Sequence, residues 1–168
     1  MVIQRTFRQR IFINFFALFS IFILAVLGFQ YDSEKSYRIG ELESILDNTT
    51  EITYRFVEHN KIFESGDFKA LDTLKLFLPD PNTRITIVDI TGKVVYDSFV
   101  PDVSKVENHL NRPEIQKAIN SGKGSSIRLS NTTNQKFYYY AKDFKKYFVR
   151  TAAVYNVDTA KFLSASRI

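Results

Sequence analysis

The sequence predicts an α+β fold in which a membrane-spanning helix precedes a long helix that packs on a five-stranded antiparallel sheet. Three observations carry this prediction. An uncharged run from Ile11 to Phe29 follows three arginines, and apolar residues then recur at helical spacing as far as Phe63. From Arg84 onward, β-branched and aromatic residues alternate with a period of two. Helices followed by strands indicate a segregated α+β domain rather than alternating βαβ units.

The uncharged run has the length of a membrane span. Nineteen residues form a helix of about 28 Å, which matches a hydrocarbon core of about 30 Å. Residues 1–10 contain three arginines and no acid, so the positive-inside rule predicts a cytoplasmic N-terminus and an extracytoplasmic segment 30–168. A cleaved signal peptide is the alternative, but the run has no pair of small residues at cleavage spacing. We therefore expect an uncleaved anchor at residues 11–29.

The composition excludes several classes of function. The chain has 23 Lys+Arg and 18 Asp+Glu, and three of the basic residues lie in the first ten, so the remainder carries only +2. This charge gives no support to a nucleic-acid partner. The absence of cysteine excludes disulfides and thiolate metal sites. His59 and His109 belong to no recognisable catalytic or metal-binding motif, so we expect no catalytic residue, no metal and no cofactor.

Segment 31–63 predicts one long helix that continues from the membrane span. Its apolar residues are spaced by four and seven, which places them on one face that we expect to cover the sheet. They are Ile45, Ile52, Phe56 and Phe63, flanked by Leu42 and Leu46. The part before Gly40 is polar, and it is either solvated or paired with a second copy of itself.

A predicted core spans residues 67–157, and a predicted C-terminal helix spans 158–168, with Asp158 as its N-cap. Ser65-Gly66-Asp67 separates the long helix from the core. The core elements are a short helix with Phe68, Leu71, Leu74 and Leu78 facing inward, strands at 85–88 and 94–96 around the turn Thr91-Gly92-Lys93, a helix from Pro113 to Gly122, and strands at 126–129, 136–142 and 147–155.

Alternation along the last three strands predicts two faces on the sheet. Ile127, Leu129, Phe137, Tyr139 and Ala141 form an apolar face for the long helix, whereas Arg128, Tyr138, Tyr140 and Arg150 point the other way. Two guanidinium groups and two phenols on one side would suit a carboxylate or a phosphate, which makes them candidate ligand-binding residues. Alternatively, the arginines pair with Asp89, Asp97 or other acids, and the tyrosines only cover the sheet.

Two polar motifs are predicted to hold loop geometry rather than a ligand. Asp97-Ser98 follows a strand, where the aspartate can accept backbone N–H bonds from the next loop. The second motif precedes and opens a helix. Its residues are Asn108 and His109, which can satisfy free donors, then Arg112, the first-turn residue Pro113, and Glu114, which lies where negative charge is favoured.

Four blocks, at residues 88–98, 107–115, 124–130 and 138–141, together resemble the extracytoplasmic sensor domain of phosphate-regulon-type sensor histidine kinases. That domain has a PAS-like fold called a single Cache or PDC domain. The resemblance implies a parallel homodimer through the long helix, located in the bacterial cytoplasmic membrane with the N-terminus inside and the sensor domain outside. It also implies an unknown cue, either a small ligand or an envelope protein.

The same resemblance implies a second span, a linker module and a kinase core after Ile168. The sequence contains no dimerisation helix with a phosphorylatable histidine and no ATP-binding glycine boxes, so we expect no kinase activity from this chain and a histidine kinase as its intact parent. Three alternatives remain. They are a sensor with a chemotaxis or cyclic-dinucleotide output, an anchored envelope-binding module without output, and, most weakly supported, an extracytoplasmic enzyme.

Overall fold

A computed structural model describes residues 6–78, 80–130 and 135–155 and divides the chain into two compact units, Met1–Gly40 and Glu41–Ile168. Helix α1 (Phe7–His59) begins in the first unit. Within the described part of the chain, it is the one helix long and apolar enough to cross a membrane. This finding agrees with the predicted N-terminal membrane helix. The predicted C-terminal helix over 158–168 lies outside the described residues.

As predicted, the second unit is an α+β domain with one five-stranded antiparallel sheet. The strand order, which was not predicted from the sequence, is β2-β1-β5-β4-β3. Its elements after α1 are α2 (Ile62–Ser65), α3 (Ala70–Lys75), β1 (Arg84–Asp89), β2 (Val94–Asp97), a short 3-10 helix (Val103–Lys105), α4 (Pro113–Ser121), β3 (Lys123–Leu129), β4 (Lys136–Asp143) and β5 (Tyr147–Val154). The turn-forming and β-branched residues account for these boundaries, because they favour strands separated by tight connections.

Helix α1 ends earlier than the predicted boundary at Phe63. The side-chain amide of Asn60 donates to the carbonyl of Phe56 over 2.9 Å. Lys61 then adopts a left-handed backbone with φ 51°, which cannot continue the helix. Phe63 therefore belongs to the separate short helix α2. The hydrophobic period continues across the break, so spacing alone did not reveal it.

The predicted apolar stripe packs in the core only in part. Leu46 is buried, and Phe56 and Phe63 pack against a core cluster. Ile45 and Ile52 are 39% and 42% exposed. The buried residues of α1 are Leu46, Thr49, Thr50, Thr53 and Val57. Three threonines can be buried here because their hydroxyls are satisfied. Two bond to carbonyls four residues earlier in the helix, and the third bonds to Thr151 of β5 over 2.9 Å.

The register of the strands corrects the predicted division of the sheet faces. Arg128 lies opposite Phe137, and Arg150 lies opposite Ala141. Residues paired in this way project to the same side, so both arginines share the face that was predicted to be apolar. The four candidate ligand residues are therefore divided, with Arg128 and Arg150 on the α4 side and Tyr138 and Tyr140 on the α1 side. Alternation within one strand does not determine which residues of the next strand share a face.

Helix α4 covers the sheet face that carries the two arginines. Ile115 and Ala118 are fully buried and form a hydrophobic cluster with residues of β1, β2, β4 and β5. Pro113 is the first helical residue, as predicted, and Gly122 caps the C-terminus with φ 81°. The close approach of α4 to β3 requires Gly124, where a Cβ atom would meet the carbonyl oxygen of Glu114 and the backbone nitrogen of Ala118.

Gly124→Ala is expected to destabilise the domain by about 1–3 kcal/mol, because α4 must shift to admit the added methyl group. Thermal unfolding of the full chain in detergent micelles, followed by circular dichroism, measures the change. Gly40→Ala is the matched control, since a Cβ atom there meets nothing within 4 Å and lies in a helix. It should leave stability unchanged or raise it by about 0.5–1 kcal/mol. Equal losses in both variants would contradict the packing argument.

Candidate functional site

Four arginines from different elements surround a cavity of about 310 Å³ on the α4 side of the sheet. They are Arg84 of β1, Arg112 before α4, Arg128 of β3 and Arg150 of β5, and they are called the arginine cluster below. The segment between β2 and α4 forms the opposite wall with Val100 and Val106, and its Lys105 and Glu107 are exposed to solvent. The cavity is therefore a basic site between the sheet and one loop.

Arg84 is neutralised by a bidentate pair with Asp97. The Nε and Nη2 atoms of Arg84 donate to the Asp97 carboxylate over 2.9–3.0 Å, and both side chains are nearly or fully buried. Asp97 also accepts the backbone N–H of Phe99, as predicted for a residue that leaves a strand. Ser98 Oγ accepts the N–H of Ile85. The Asp97-Ser98 motif therefore fixes the loop and also supplies a counter-ion.

Glu114 holds two members of the arginine cluster. Its carboxylate accepts bonds from Arg150 Nε at 2.9 Å, Arg128 Nη2 at 3.3 Å and Ser126 Oγ at 2.6 Å. Burial opposes its ionisation, but the charge of Arg150 and the bond from Ser126 outweigh burial and hold the pKa of Glu114 below its usual value. Glu114 lies in the first turn of α4, as predicted, yet its main partners are these side chains. It is the ionised centre of the cluster.

Tyr139 supports the same two guanidinium groups through its aromatic ring. The Cζ atoms of Arg128 and Arg150 lie 4.1 and 4.3 Å from the ring centroid. Tyr139 is 1% exposed, so these cation–π contacts are desolvated, which strengthens them. Burial lowers the pKa of Arg150 to about 10, so its guanidinium is charged at neutral pH.

His109 lies against the cluster as a neutral hydrogen-bond acceptor. Its Nδ1 atom is 3.4 Å from Nη1 of Arg150, and only the histidine can accept in that pair, which assigns the proton to Nε2. Burial, followed by the charges of Arg150 and Arg112, lowers the pKa of His109 to about 3. At the start of α4, the backbone carbonyl of His109 accepts the N–H of Arg112 over 3.0 Å. The ring of His109 lines the cavity.

The other residues of the loop motif have structural contacts. Asn108 donates to the carbonyl of Thr91 and accepts the N–H of Leu110, so it ties the loop to the β1–β2 turn rather than to the first turn of α4. Arg112 precedes α4 and donates to the exposed Glu107 over 3.2 Å. Asn108 thus holds the loop in place, and Arg112 adds a fourth guanidinium to the cavity.

Tyr138 and Tyr140 lie on the opposite face and contact α1. Their hydroxyls donate to Glu43 over 3.1 Å and to Asp47 over 2.7 Å. Burial and the Asp47 carboxylate raise the pKa of Tyr140 above its usual range, so the hydroxyl stays protonated and continues to donate. Lys142 extends this row with bonds to Asp47 and Glu51. These tyrosines do not line the cavity, although they were predicted to bind the same ligand as Arg128 and Arg150.

The arginine cluster has the chemistry of an anion site, because guanidinium groups offer charged, forked hydrogen-bond donors. Its side chains are permanent cations paired with ionised acids, and the neutral His109 bonds to an arginine rather than to a nucleophile. No cluster of three or more metal-ligating side chains occurs among the residues that the structure describes. Sequence reasoning missed Arg84 and Tyr139 as members. Alternation along β1 could have identified Arg84, because Arg84 and Thr86 lie on the same sheet face as Arg150.

Glu114→Gln is expected to destabilise the full chain by about 3–5 kcal/mol, because Arg150 would then lose its buried counter-ion. Thermal or denaturant unfolding in detergent micelles measures the loss. Glu107→Gln is the matched control. It removes an acid that is 80% exposed and should change stability by less than about 1 kcal/mol. Similar small losses in both variants would show that Glu114 does not hold the cluster.

His109 is expected to make stability depend on pH between 7 and 5. The unfolded state takes up a proton near pH 6.5, whereas the folded state takes it up only near pH 3. Stability therefore falls as the pH drops below 6.5, by up to about 1.4 kcal/mol per pH unit. His109→Asn should flatten this slope. His59→Asn, which removes an exposed histidine, is the control and should retain the wild-type slope.

No protein-family model matches the sequence, and no curated protein matches it either. The resemblance to a sensor family therefore stays a prediction.

Proposed function

We propose that this chain is the signal-input region of a membrane-bound two-component sensor histidine kinase. The first part of α1 anchors it in the cytoplasmic membrane, and the domain from Glu41 detects a cue outside. The single observation that carries the proposal is the position of Ile45 and Ile52. Both are exposed, and they lie on the same helix as the apolar anchor. Such an arrangement suits a helix that pairs with the same helix of a second copy and transmits a conformational change toward the membrane.

The spacing of the exposed isoleucines supports pairing of two α1 helices. They are seven residues apart, which is the repeat of a coiled-coil seam. Two copies anchored by the same N-terminal helix must also enter the domain in the same direction, which favours a parallel dimer. The partner on this face is therefore proposed to be a second copy of the chain.

Direct bonds between the sheet and α1 support transmission. Tyr138, Tyr140 and Lys142 of β4 bond to three acids of α1 spaced four residues apart, Glu43, Asp47 and Glu51. Hydrogen bonds are directional, so a shift of β4 changes the bonding of α1 at each of these positions. A cue affects such a helix only through its different affinity for two arrangements of the domain.

A second candidate function is an anchored envelope-binding module without signalling output. Leu76 and Phe77 favour it, because these adjacent side chains after α3 are 80% and 79% exposed. Exposed apolar pairs of this kind occur at protein-binding surfaces. The sensor assignment is preferred because the ordered bonds between α1 and the sheet connect the domain to the anchor helix, which a binding module does not require. A sensor with a chemotaxis or cyclic-dinucleotide output would use the same input contacts.

Single-cysteine variants test the pairing of α1, and the natural chain has no cysteine to interfere. Ile45→Cys and Ile52→Cys are expected to form disulfide-linked dimers in membranes under mild oxidation. Ser44→Cys is the matched control, since this exposed residue is rotated about 100° around the helix from Ile45 and should cross-link weakly. Non-reducing gel electrophoresis measures the dimer fraction. Equal cross-linking at all three positions would contradict pairing through the isoleucine face.

Signal input is tested with a chimera in which this chain replaces the anchor and sensor region of a histidine kinase with a reporter output. The kinase's own second span is joined after Tyr155. The chimera carries Ile45→Cys, and its output is measured once with the disulfide between two copies formed and once with that disulfide reduced. The proposal expects the two states to give different outputs, because they hold α1 in different arrangements. Identical output in both states would favour the binding module.

A further inference from the structure

We infer that the cavity of the arginine cluster binds a small organic carboxylate. The inference deepens the proposed function by assigning a chemical class to the cue, and it rests on that function only for the role of the bound molecule. Binding itself can be measured without any signalling output. Three observations carry the inference, namely the charge of the cavity, its hydrogen-bond donors without acceptors, and its mixed polar and apolar lining.

The inner part of the cavity carries excess positive charge. Four guanidinium groups lie there, and two buried carboxylates, Asp97 and Glu114, face them. Asp97 is used by Arg84, and Glu114 is shared by Arg128 and Arg150. The rim carries Lys105 and two exposed acids, Asp102 and Glu107, whose charges are screened by solvent. The two buried carboxylates therefore do not fully neutralise the four guanidinium groups, and the remaining positive charge favours an anion in the cavity.

Two arginines of the cluster have donors that the protein leaves without an acceptor. Within the described residues, the Nε atoms of Arg112 and Arg128 are buried and have no hydrogen-bond partner. A buried donor without an acceptor is costly, so a small rotation that presents it to a bound oxygen is favourable. Both side chains reach solvent, at 25% and 21% exposure, whereas those of Arg84 and Arg150 are 6% and 2% exposed. Arg112 and Arg128 are therefore the members of the cluster that are most accessible to a ligand.

The lining favours an organic acid over an inorganic anion. Val100, Val106 and the ring of Tyr139 lie in the same cavity as the guanidinium groups. A ligand that fills this space presents carbon to the valines and oxygen to the arginines. The volume of about 310 Å³ lies at the lower limit of ligand pockets, which restricts the carbon skeleton to a few atoms. A planar carboxylate also matches the forked geometry that Asp97 already makes with Arg84.

Isothermal titration calorimetry on the full chain in lipid nanodiscs tests the inference. The probes are succinate, malate and lactate, with inorganic phosphate and neutral succinamide as comparisons. At least one carboxylate should bind, and succinamide should not. Absence of binding by all three carboxylates would overturn the inference, and binding of phosphate at least as tightly as of every carboxylate would also overturn it.

Arg112→Gln and Arg128→Gln locate the binding. Each is expected to weaken the best carboxylate at least about tenfold, the cost of one lost charged hydrogen bond. Lys69→Gln, which removes an exposed positive charge away from the cavity, should leave the affinity unchanged. Circular dichroism checks that each variant is folded. If one arginine variant fails to fold, the other decides the result, and wild-type affinity in a folded variant contradicts this location.

Two combinations of the calorimetry and chimera results separate this inference from the proposed function. Carboxylate binding together with a chimera that does not respond to Ile45→Cys oxidation would support the cavity and contradict signal input. No carboxylate binding, together with a chimera that responds to oxidation, would overturn the cavity and leave signal input supported. The two ideas can therefore fail independently.

Discussion

The buried ion pair between Arg150 and Glu114 is the interaction on which the candidate site depends. Arg150 belongs to β5, the central strand, and Glu114 to the first turn of α4, and both side chains are almost completely excluded from solvent. Neither charge is tolerated in such a place without the other. The pair therefore holds the start of α4 against the middle of the sheet. The loop before α4 lines the cavity, so the pair supports one of the cavity's walls.

The order and type of the longer described elements could be predicted from the sequence because each depends on local patterns, whereas the short helix α2 and the 3-10 helix were not predicted. The uncharged run, the β-branched strands and Pro113 at a helix start are such patterns. Contacts between distant segments were not predictable in this way. Thr50 is buried because of Thr151, a partner 101 residues away. Arg128 and Arg150 were correctly singled out as basic side chains on the sheet, but strand register, which alternation does not specify, placed them with Tyr139 instead of Tyr138.

The two faces of the sheet use different chemistry to hold their helices. On the α4 side, guanidinium groups pair with ionised acids inside an apolar surround, and on the α1 side, neutral hydroxyls donate to acids near the surface. Consecutive residues of β5 join the two sides. Arg150 bonds to Glu114, and the next residue, Thr151, bonds to α1 at Thr50 and at the carbonyl of Leu46. A displacement of β5 would therefore affect both helices at once.

The hydroxyl contacts of α1 also determine the rotational phase of that helix. Apolar packing tolerates some rotation of α1 about its axis. The hydrogen bonds from Tyr138 to Glu43 and from Tyr140 to Asp47 are directional, so they fix one rotational orientation of the helix. Ile45 lies between these two acids along the helix, so its direction is set by the same bonds. Losing one phenolic bond would thus change the direction in which Ile45 projects and, in the dimer proposed above, the angle between the two α1 helices, without lengthening, shortening or unfolding either of them.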